Sequence, residues 1–81
     1  MKIKVILKPG MTDIEERVAR AFQEALEHHA DFIEISYGSK ASETKKRLLN
    51  FLMKDEYRKV YSRLAKSKEG WGRIFVYFRW T

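Results

Sequence analysis

The chain contains no cysteine and only one proline, which excludes several classes of small protein. Without cysteine it can form neither a disulfide framework nor a thiolate metal site, and this favours an intracellular protein. Its apolar runs, such as residues 74–78, are far shorter than the ~20 residues that cross a membrane. Residues 1–7 alternate charged and apolar side chains, unlike the continuous apolar region of a signal peptide. We therefore expect a soluble, cytoplasmic protein with no membrane partner.

The chain has enough apolar side chains for one small core. Of its 81 residues, 44% are hydrophobic and 14% are aromatic, a composition that argues against disorder. A chain of this length supports one thin core, so residues 1–81 are predicted to form a single domain. The net charge is +6, from 17 Lys and Arg against 11 Asp and Glu. This excess indicates a polyanionic partner, although a Lys- and Glu-rich surface is also typical of heat-adapted proteins.

Hydrophobic periodicity predicts a strand and a helix in the first third of the chain. Residues 2–8 alternate as a strand does, and a Pro-Gly pair ends the run. Thr12 and Glu15 have the spacing of a capping box, in which each side chain satisfies a free backbone N–H of the other residue. The amphipathic helix that follows is predicted to end near residues 28–30.

The second third repeats the pattern. Residues 31–37 alternate again, and a second helix is expected to begin between residues 39 and 42. An order of strand, helix, strand, helix favours parallel pairing of the two strands through a right-handed crossover.

The last third is partly ambiguous. Residues 57–66 alternate as a strand, yet Tyr57, Val60 and Leu64 also fall at helical spacing, so both interpretations stay open. Residues 73–80 form a near-continuous apolar run, which predicts a central strand buried on both faces. If residues 57–66 are a strand, the glycine-rich turn between them makes an antiparallel hairpin.

Three stretches of sequence share their order with the motifs of a known family. Residues 7–16 read LKPGMTDIEE, residues 33–38 read IEISYG and residues 70–78 read GWGRIFVYF. They resemble the first-strand exit L-D-L-H-G-L-T, the strand before a G-K/R-G loop, and the G-x-G-x-x-x-V end of the Smr (small MutS-related) domain family. The resemblance implies an α/β fold of the α+β two-layer type, with element order β-α-β-α-β-β. A mixed four-stranded sheet would be packed by two helices, and residues 57–66 would be a strand.

The same resemblance implies nucleic-acid binding and, in several family members, metal-assisted cleavage. The family's L-D-x-H-G motif places an acid and a histidine before the first glycine, where this chain has Leu7, Lys8 and Pro9. Its G-K/R-G loop is reduced here to Gly38-Ser39-Lys40. Binding is therefore favoured over hydrolysis, and no cofactor is expected unless the protein is a nuclease that uses Mg²⁺ or Mn²⁺. Such a nuclease would take its acids from other positions, namely Asp13, Asp31 or Glu34.

Two basic groups are the predicted nucleic-acid-binding residues. The first lies on or just before the second helix, where cations and free backbone N–H groups can hold phosphates; the alternative is an ordinary solvated helix face. The second is the glycine-rich turn, whose tryptophan between basic residues suits base stacking, with RNA slightly preferred over DNA. Alternatively, that tryptophan folds back on the sheet or contacts a second copy. The two groups are Lys40, Lys45, Lys46 and Arg47, and then Lys66, Lys68, Gly70, Trp71, Gly72 and Arg73.

Other charged and aromatic residues have simpler explanations. Lysines along the first strand protect a sheet edge from aggregation. The adjacent His28 and His29 complement a helix C-terminus and are poorly placed to chelate one metal. A second hypothesis for the whole protein is a protein-interaction module or homodimer, formed through the aromatic residues Tyr77, Phe78 and Trp80.

Overall fold

The computed structural model describes residues 1–8, 10–38, 42–66 and 72–80. The predicted element order is confirmed in this part of the chain, with one short helix added after the second long one. The elements are β1 (Lys2–Ile6), α1 (Ile14–His28), β2 (Phe32–Ser36), α2 (Ser42–Leu52), α3 (Asp55–Arg58), β3 (Arg63–Lys66) and β4 (Arg73–Tyr77).

The four strands form one mixed sheet in the order β1-β2-β4-β3. β1 and β2 run parallel, with Lys2 opposite Phe32, as the crossover through α1 requires. β4 pairs antiparallel with both β2 and β3. The predicted parallel pairing, the antiparallel pairing of the last two strands and the central position of the last strand are confirmed.

Both long helices lie on one face of the sheet, so the fold has two layers and a single core. The strands and helices alternate large buried side chains with exposed ones, at periods of about 2 and 3.6. The fully buried side chains of this core include Ile14, Val18, Ile33, Ile35, Leu48, Leu52, Ile74 and Val76. Among the described residues, no helix is long and apolar enough to cross a membrane.

The prediction that β4 is buried on both faces is wrong. Ile74 and Val76 face the helices and are buried, whereas Phe75 and Tyr77 point to the opposite face and are only half-buried. The physical reason is the number of layers, since the two long helices of the described chain both pack on the same side. The sheet therefore has an open face, on which Ile6 is 63% exposed.

Residues 54–66 combine the two interpretations of the sequence. The chain makes one helical turn at α3 and then enters β3 at Arg63. Between them the Tyr61 hydroxyl donates a 2.8 Å hydrogen bond to the Leu52 carbonyl, at the end of α2. This bond ties the irregular segment to the preceding helix before β3 begins at Arg63.

The capping-box prediction at α1 is also wrong. The N-cap residue is Asp13 rather than Thr12, and its side chain makes no capping hydrogen bond. The Glu15 carboxylate is instead bound by Arg47 of α2, because a guanidinium is a stronger partner than a backbone N–H. The helix ends as predicted, with His29 in the left-handed region at φ 50°.

Candidate nucleic-acid interface

Three aromatic rings form a cluster in the middle of the open face. Phe32 lies on β2, and Phe75 and Tyr77 lie on the neighbouring strand β4. The Phe32 ring centroid is 5.8 Å from that of Phe75 and 5.5 Å from that of Tyr77. All three are half-buried and stand outside the core cluster under the helices. We call these three residues the aromatic strip.

Four cations surround the aromatic strip. Lys2 and Lys4 lie on β1 at one edge of the sheet, Arg63 lies on β3 at the other, and Arg73 begins β4. Strand register places Lys2, Phe32, Tyr77 and Arg63 in one row across the sheet. The side chains of the four cations are exposed on the open face. We call them the basic rim.

One member of the basic rim is held against the strip. The guanidinium carbon of Arg63 lies 4.4 Å from the centroid of the Tyr77 ring. This distance is within the range of a cation–π contact, and a guanidinium carries five N–H donors, more than one ring face can engage. Arg63 can therefore bind an anion while it stays in contact with the Tyr77 ring. The aromatic strip can stack on a base while Arg63 contacts a neighbouring phosphate.

The open face also carries one carboxylate among its described residues. Glu34 of β2 lies between Lys4 of β1 and Phe75 of β4 in the strand register. It is half-buried, and among the described residues it makes neither an ion pair within 4.0 Å nor a side-chain hydrogen bond. Its oxygens are thus available to a ligand that lies on the aromatic strip.

The described residues of the turn predicted from sequence, Lys66, Gly72 and Arg73, lie at one end of the sheet. β1 and β2 run parallel, and β4 runs antiparallel to both β2 and β3. The last residues of β1, β2 and β3 therefore lie at the same end of the sheet as the first residue of β4. Lys66 and Arg73 are exposed there, but only Arg73 lies on the open face, because Lys66 is opposite the core-facing Ile74. Gly72 is buried at φ 63°, a conformation that favours glycine, and its carbonyl accepts a 2.8 Å hydrogen bond from the Tyr37 N–H. Its observed role is thus to join the hairpin to β2.

The basic group on α2 lies on the other side of the molecule. Thr44, Leu48 and Leu52 face the core, so Lys46, two positions from Thr44 and Leu48, points away from the sheet. Lys45 is half-buried on the flank of the helix. A ligand on the aromatic strip therefore cannot reach Lys46, so Lys46 and the basic rim are on separate surfaces.

Arg47 already has a partner. Its guanidinium makes hydrogen bonds of 2.8 and 2.9 Å to the two Glu15 oxygens and one of 3.4 Å to the Thr12 carbonyl. The hydrogen bond from Arg47 lowers the pKa of the Glu15 carboxyl from its ordinary value. A phosphate at this position would have to displace a bidentate carboxylate, so Arg47 serves chiefly to join α2 to the start of α1.

Replacing Arg47 with leucine should raise the pKa of Glu15 towards its ordinary value, because the hydrogen bond from Arg47 is the largest cause of the lowering, while a backbone hydrogen bond and Lys54 still act. A lowered pKa stabilises the fold above the ordinary pKa, and this contribution is lost as the pH falls through the lowered value. Both side chains are more than 40% exposed, so the cost at neutral pH should be below about 1 kcal/mol. NMR titration of Glu15 measures the shift directly. As a control, Arg17→Leu breaks the neighbouring 3.0 Å pair with Asp13 and should not alter the Glu15 titration. An unchanged Glu15 pKa in Arg47→Leu would show that the bond does not form.

The remaining predicted binding residues lie outside the described part of the chain. They are Lys40, Lys68, Gly70 and Trp71.

The acids proposed for a nuclease do not come together. Asp13 follows β1 and pairs with Arg17, whereas Asp31 precedes the parallel strand β2 and lies 3.0 Å from the Met1 amino group. They are therefore at opposite ends of the sheet, with Glu34 between them on the open face. Among the described residues, no three His, Cys, Asp or Glu side chains are grouped so that they could hold a metal ion.

The aromatic residues of the interaction hypothesis do not share one surface. Phe78 is buried under the helices, with its ring 5.7 Å from that of Phe22. Trp80 stacks on His29 at 4.4 Å, and its indole N–H donates a 2.7 Å hydrogen bond to the Ala30 carbonyl. Of the three, only Tyr77 belongs to the open face.

Sequence reasoning missed the aromatic strip because it assigned both faces of β4 to the core. A signal was nevertheless present, since the sequence predicts only two helices of core-forming length. Two helices cover one face of a four-stranded sheet, so the alternate residues of each strand must meet solvent or a ligand.

Comparisons with protein-family models, with curated proteins and with solved structures find no match for this chain. The structure therefore classifies the protein only by its architecture. It is a two-layer α+β domain whose sheet has one open face that carries aromatic and basic side chains.

Proposed function

We propose that this protein is a nucleic-acid-binding domain that holds a single strand of RNA or DNA on the open face of its sheet. The observation that carries the proposal is the aromatic strip enclosed by the basic rim. Rings stack on bases, at about 1–3 kcal/mol per base, and cations neutralise the phosphates that link those bases. A cytoplasmic location and a distant relation to Smr domains remain part of the proposal.

A single strand suits this surface better than a duplex. In a duplex the faces of the bases are stacked on one another, so rings on a protein surface cannot reach them. The three rings lie on adjacent strands at separations of 5.5–6.3 Å, a cluster that two or three splayed bases can cover. RNA is slightly preferred over DNA, and hydrolysis is not part of the proposed activity.

Titration with labelled oligonucleotides at several salt concentrations tests the proposal. Single strands should bind more tightly than duplexes of the same length. Arg73→Ala should lower the slope of log affinity against log salt by about 0.7, because one phosphate contact to a single strand is lost. The matched variant Lys46→Ala removes the same charge from the outer side of α2 and should leave the slope unchanged.

The reverse pattern would contradict the open face as the binding surface. If Lys46→Ala lowers the slope and Arg73→Ala does not, the phosphates lie on α2, as the sequence alone suggested. Equal affinity for duplex and single strand would also count against stacking on the aromatic strip. An incubation with Mg²⁺ or Mn²⁺ after each titration reports cleavage, which would restore the nuclease alternative.

The homodimer alternative keeps one supporting observation, the partial exposure of the aromatic strip. Pairing two open faces would, however, bring Lys2, Lys4, Arg63 and Arg73 of both copies together, and like charges at a contact are unfavourable. Size measurement at two protein concentrations in high salt separates the two functions. A dimer that forms under these conditions and binds no nucleic acid would replace the proposal.

A further inference from the structure

We infer that Glu34 makes the open face selective for guanine among the four bases. The inference rests on the proposed function, since it concerns which base the same surface prefers. Cations and rings alone hold any sequence, because every base has an aromatic face and every linkage a phosphate. A carboxylate in the middle of that surface does not fit such a general binder, because it repels the phosphates that the basic rim attracts.

The position of Glu34 places its oxygens at the edge of a stacked base. Phe75 is its direct neighbour on β4, and adjacent strands lie about 4.8 Å apart. A base that stacks on the Phe75 ring extends across that distance, so its edge lies over β2 at residue 34. Phe32, two residues away on β2, confines the base from one side.

The chemistry of a carboxylate then selects among base edges. An ionised carboxylate accepts hydrogen bonds through two oxygens and donates none. Guanine presents an N1–H and an N2 amino group side by side, so both oxygens are satisfied. Cytosine and adenine each offer one amino group beside an acceptor nitrogen. Uracil offers a single N–H between two carbonyl oxygens, which the carboxylate repels.

The simpler explanation for Glu34 is charge pairing with Lys4, its neighbour in the strand register. The two side chains do not form an ion pair within 4.0 Å in the structure. Charge pairing would also treat all bases alike, so the two explanations differ in what they predict. The test therefore measures a ratio of affinities rather than one affinity.

The experiment compares three nine-nucleotide oligouridines whose central base is uridine, guanosine or inosine, the last of which lacks the N2 amino group. The wild-type protein should bind the guanosine oligonucleotide about 10-fold more tightly than oligouridine, with inosine between them. Glu34→Gln should bind oligouridine more tightly than the wild type does, because the repulsion of phosphates is gone. Its ratio of guanosine to uridine affinity should nevertheless fall towards 1.

Glu27→Gln is the matched control, because it removes one exposed carboxylate from α1, on the helix side of the molecule. It should leave the ratio at the wild-type value. Equal wild-type affinities for the three oligonucleotides, or a ratio that Glu34→Gln does not change, would overturn the selectivity and leave the proposed function intact. No binding of any oligonucleotide by the wild type would overturn both.

Discussion

Phe22→Ala is expected to lower the free energy of unfolding by about 3–5 kcal/mol. Phe22 is 2% exposed, and its ring packs edge-on against three others, those of Tyr57, Tyr61 and Phe78, at 5.2, 6.3 and 5.7 Å. These residues come from α3, from the segment before β3 and from the residue that follows β4. One ring of α1 therefore holds three later parts of the chain, and alanine would leave a cavity where they meet.

Urea unfolding followed by circular dichroism measures this effect. A chain of this length has a total stability of about 4–12 kcal/mol, so the variant should lose much of its resistance to denaturant. Phe22→Leu keeps most of the volume and should cost about 1–2 kcal/mol, which keeps the measurement within range if alanine unfolds the protein. Leu26→Ala is the control on the same helix, because Leu26 is 40% exposed. A loss no larger for Phe22→Ala than for Leu26→Ala would show that the aromatic cluster does not support the fold.

The role of Phe22 explains why residues 54–66 could not be assigned from the sequence. Tyr57, Val60, Tyr61 and Leu64 are spaced as a helix would space them, and all four do pack against the core. Helical spacing and strand-like alternation each indicate only which residues are buried. In this segment the buried positions are set by an irregular backbone path, so they fit both patterns. The contacts that fix the path come from outside the segment, from Phe22 on α1, more than 30 residues away, and from the Leu52 carbonyl at the end of α2.

The elements that could be predicted are those whose burial follows one period. β1, α1, β2 and α2 each show a single repeat of buried positions, and their order determines the parallel pairing. Local signals failed where a distant partner competed with them. Glu15 has the spacing to cap its own helix, yet the guanidinium of Arg47 binds it instead.

The candidate site was harder to predict than the fold because a sequence does not show which face of a strand is covered. The run from residue 73 to residue 80 contains both Ile74, which is 1% exposed, and Phe75, which is half-buried on the other face. Hydrophobicity does not distinguish these two residues, although one supports the core and the other lies in the aromatic strip. Arg73, predicted as a phosphate contact, lies on the same face as the aromatic strip, and its role stays a prediction.

Phe75→Ala is expected to weaken the binding of a single-stranded oligonucleotide between about 5-fold and about 150-fold, the equivalent of one lost base stack. Phe75 lies on β4 between Arg73 of the basic rim and Tyr77 of the aromatic strip, and its ring lies 6.3 Å from that of Tyr77. Because the ring is only half-buried and lies outside the core, the thermal midpoint should change far less than the affinity does.

Two further substitutions at the same position separate stacking from apolar contact. Phe75→Tyr keeps the ring and should bind like the wild type, whereas Phe75→Leu keeps the apolar bulk and should bind nearly as weakly as alanine. Fluorescence of a labelled oligonucleotide gives the affinities, and the salt slope should stay constant across the series, since no cation is removed. If leucine restores the affinity, the strip binds through apolar contact, and a partner other than a nucleic-acid base becomes the better explanation. If all three variants bind like the wild type, the bases do not stack on Phe75. The cations of the basic rim would then bind the nucleic acid without a contribution from the aromatic strip.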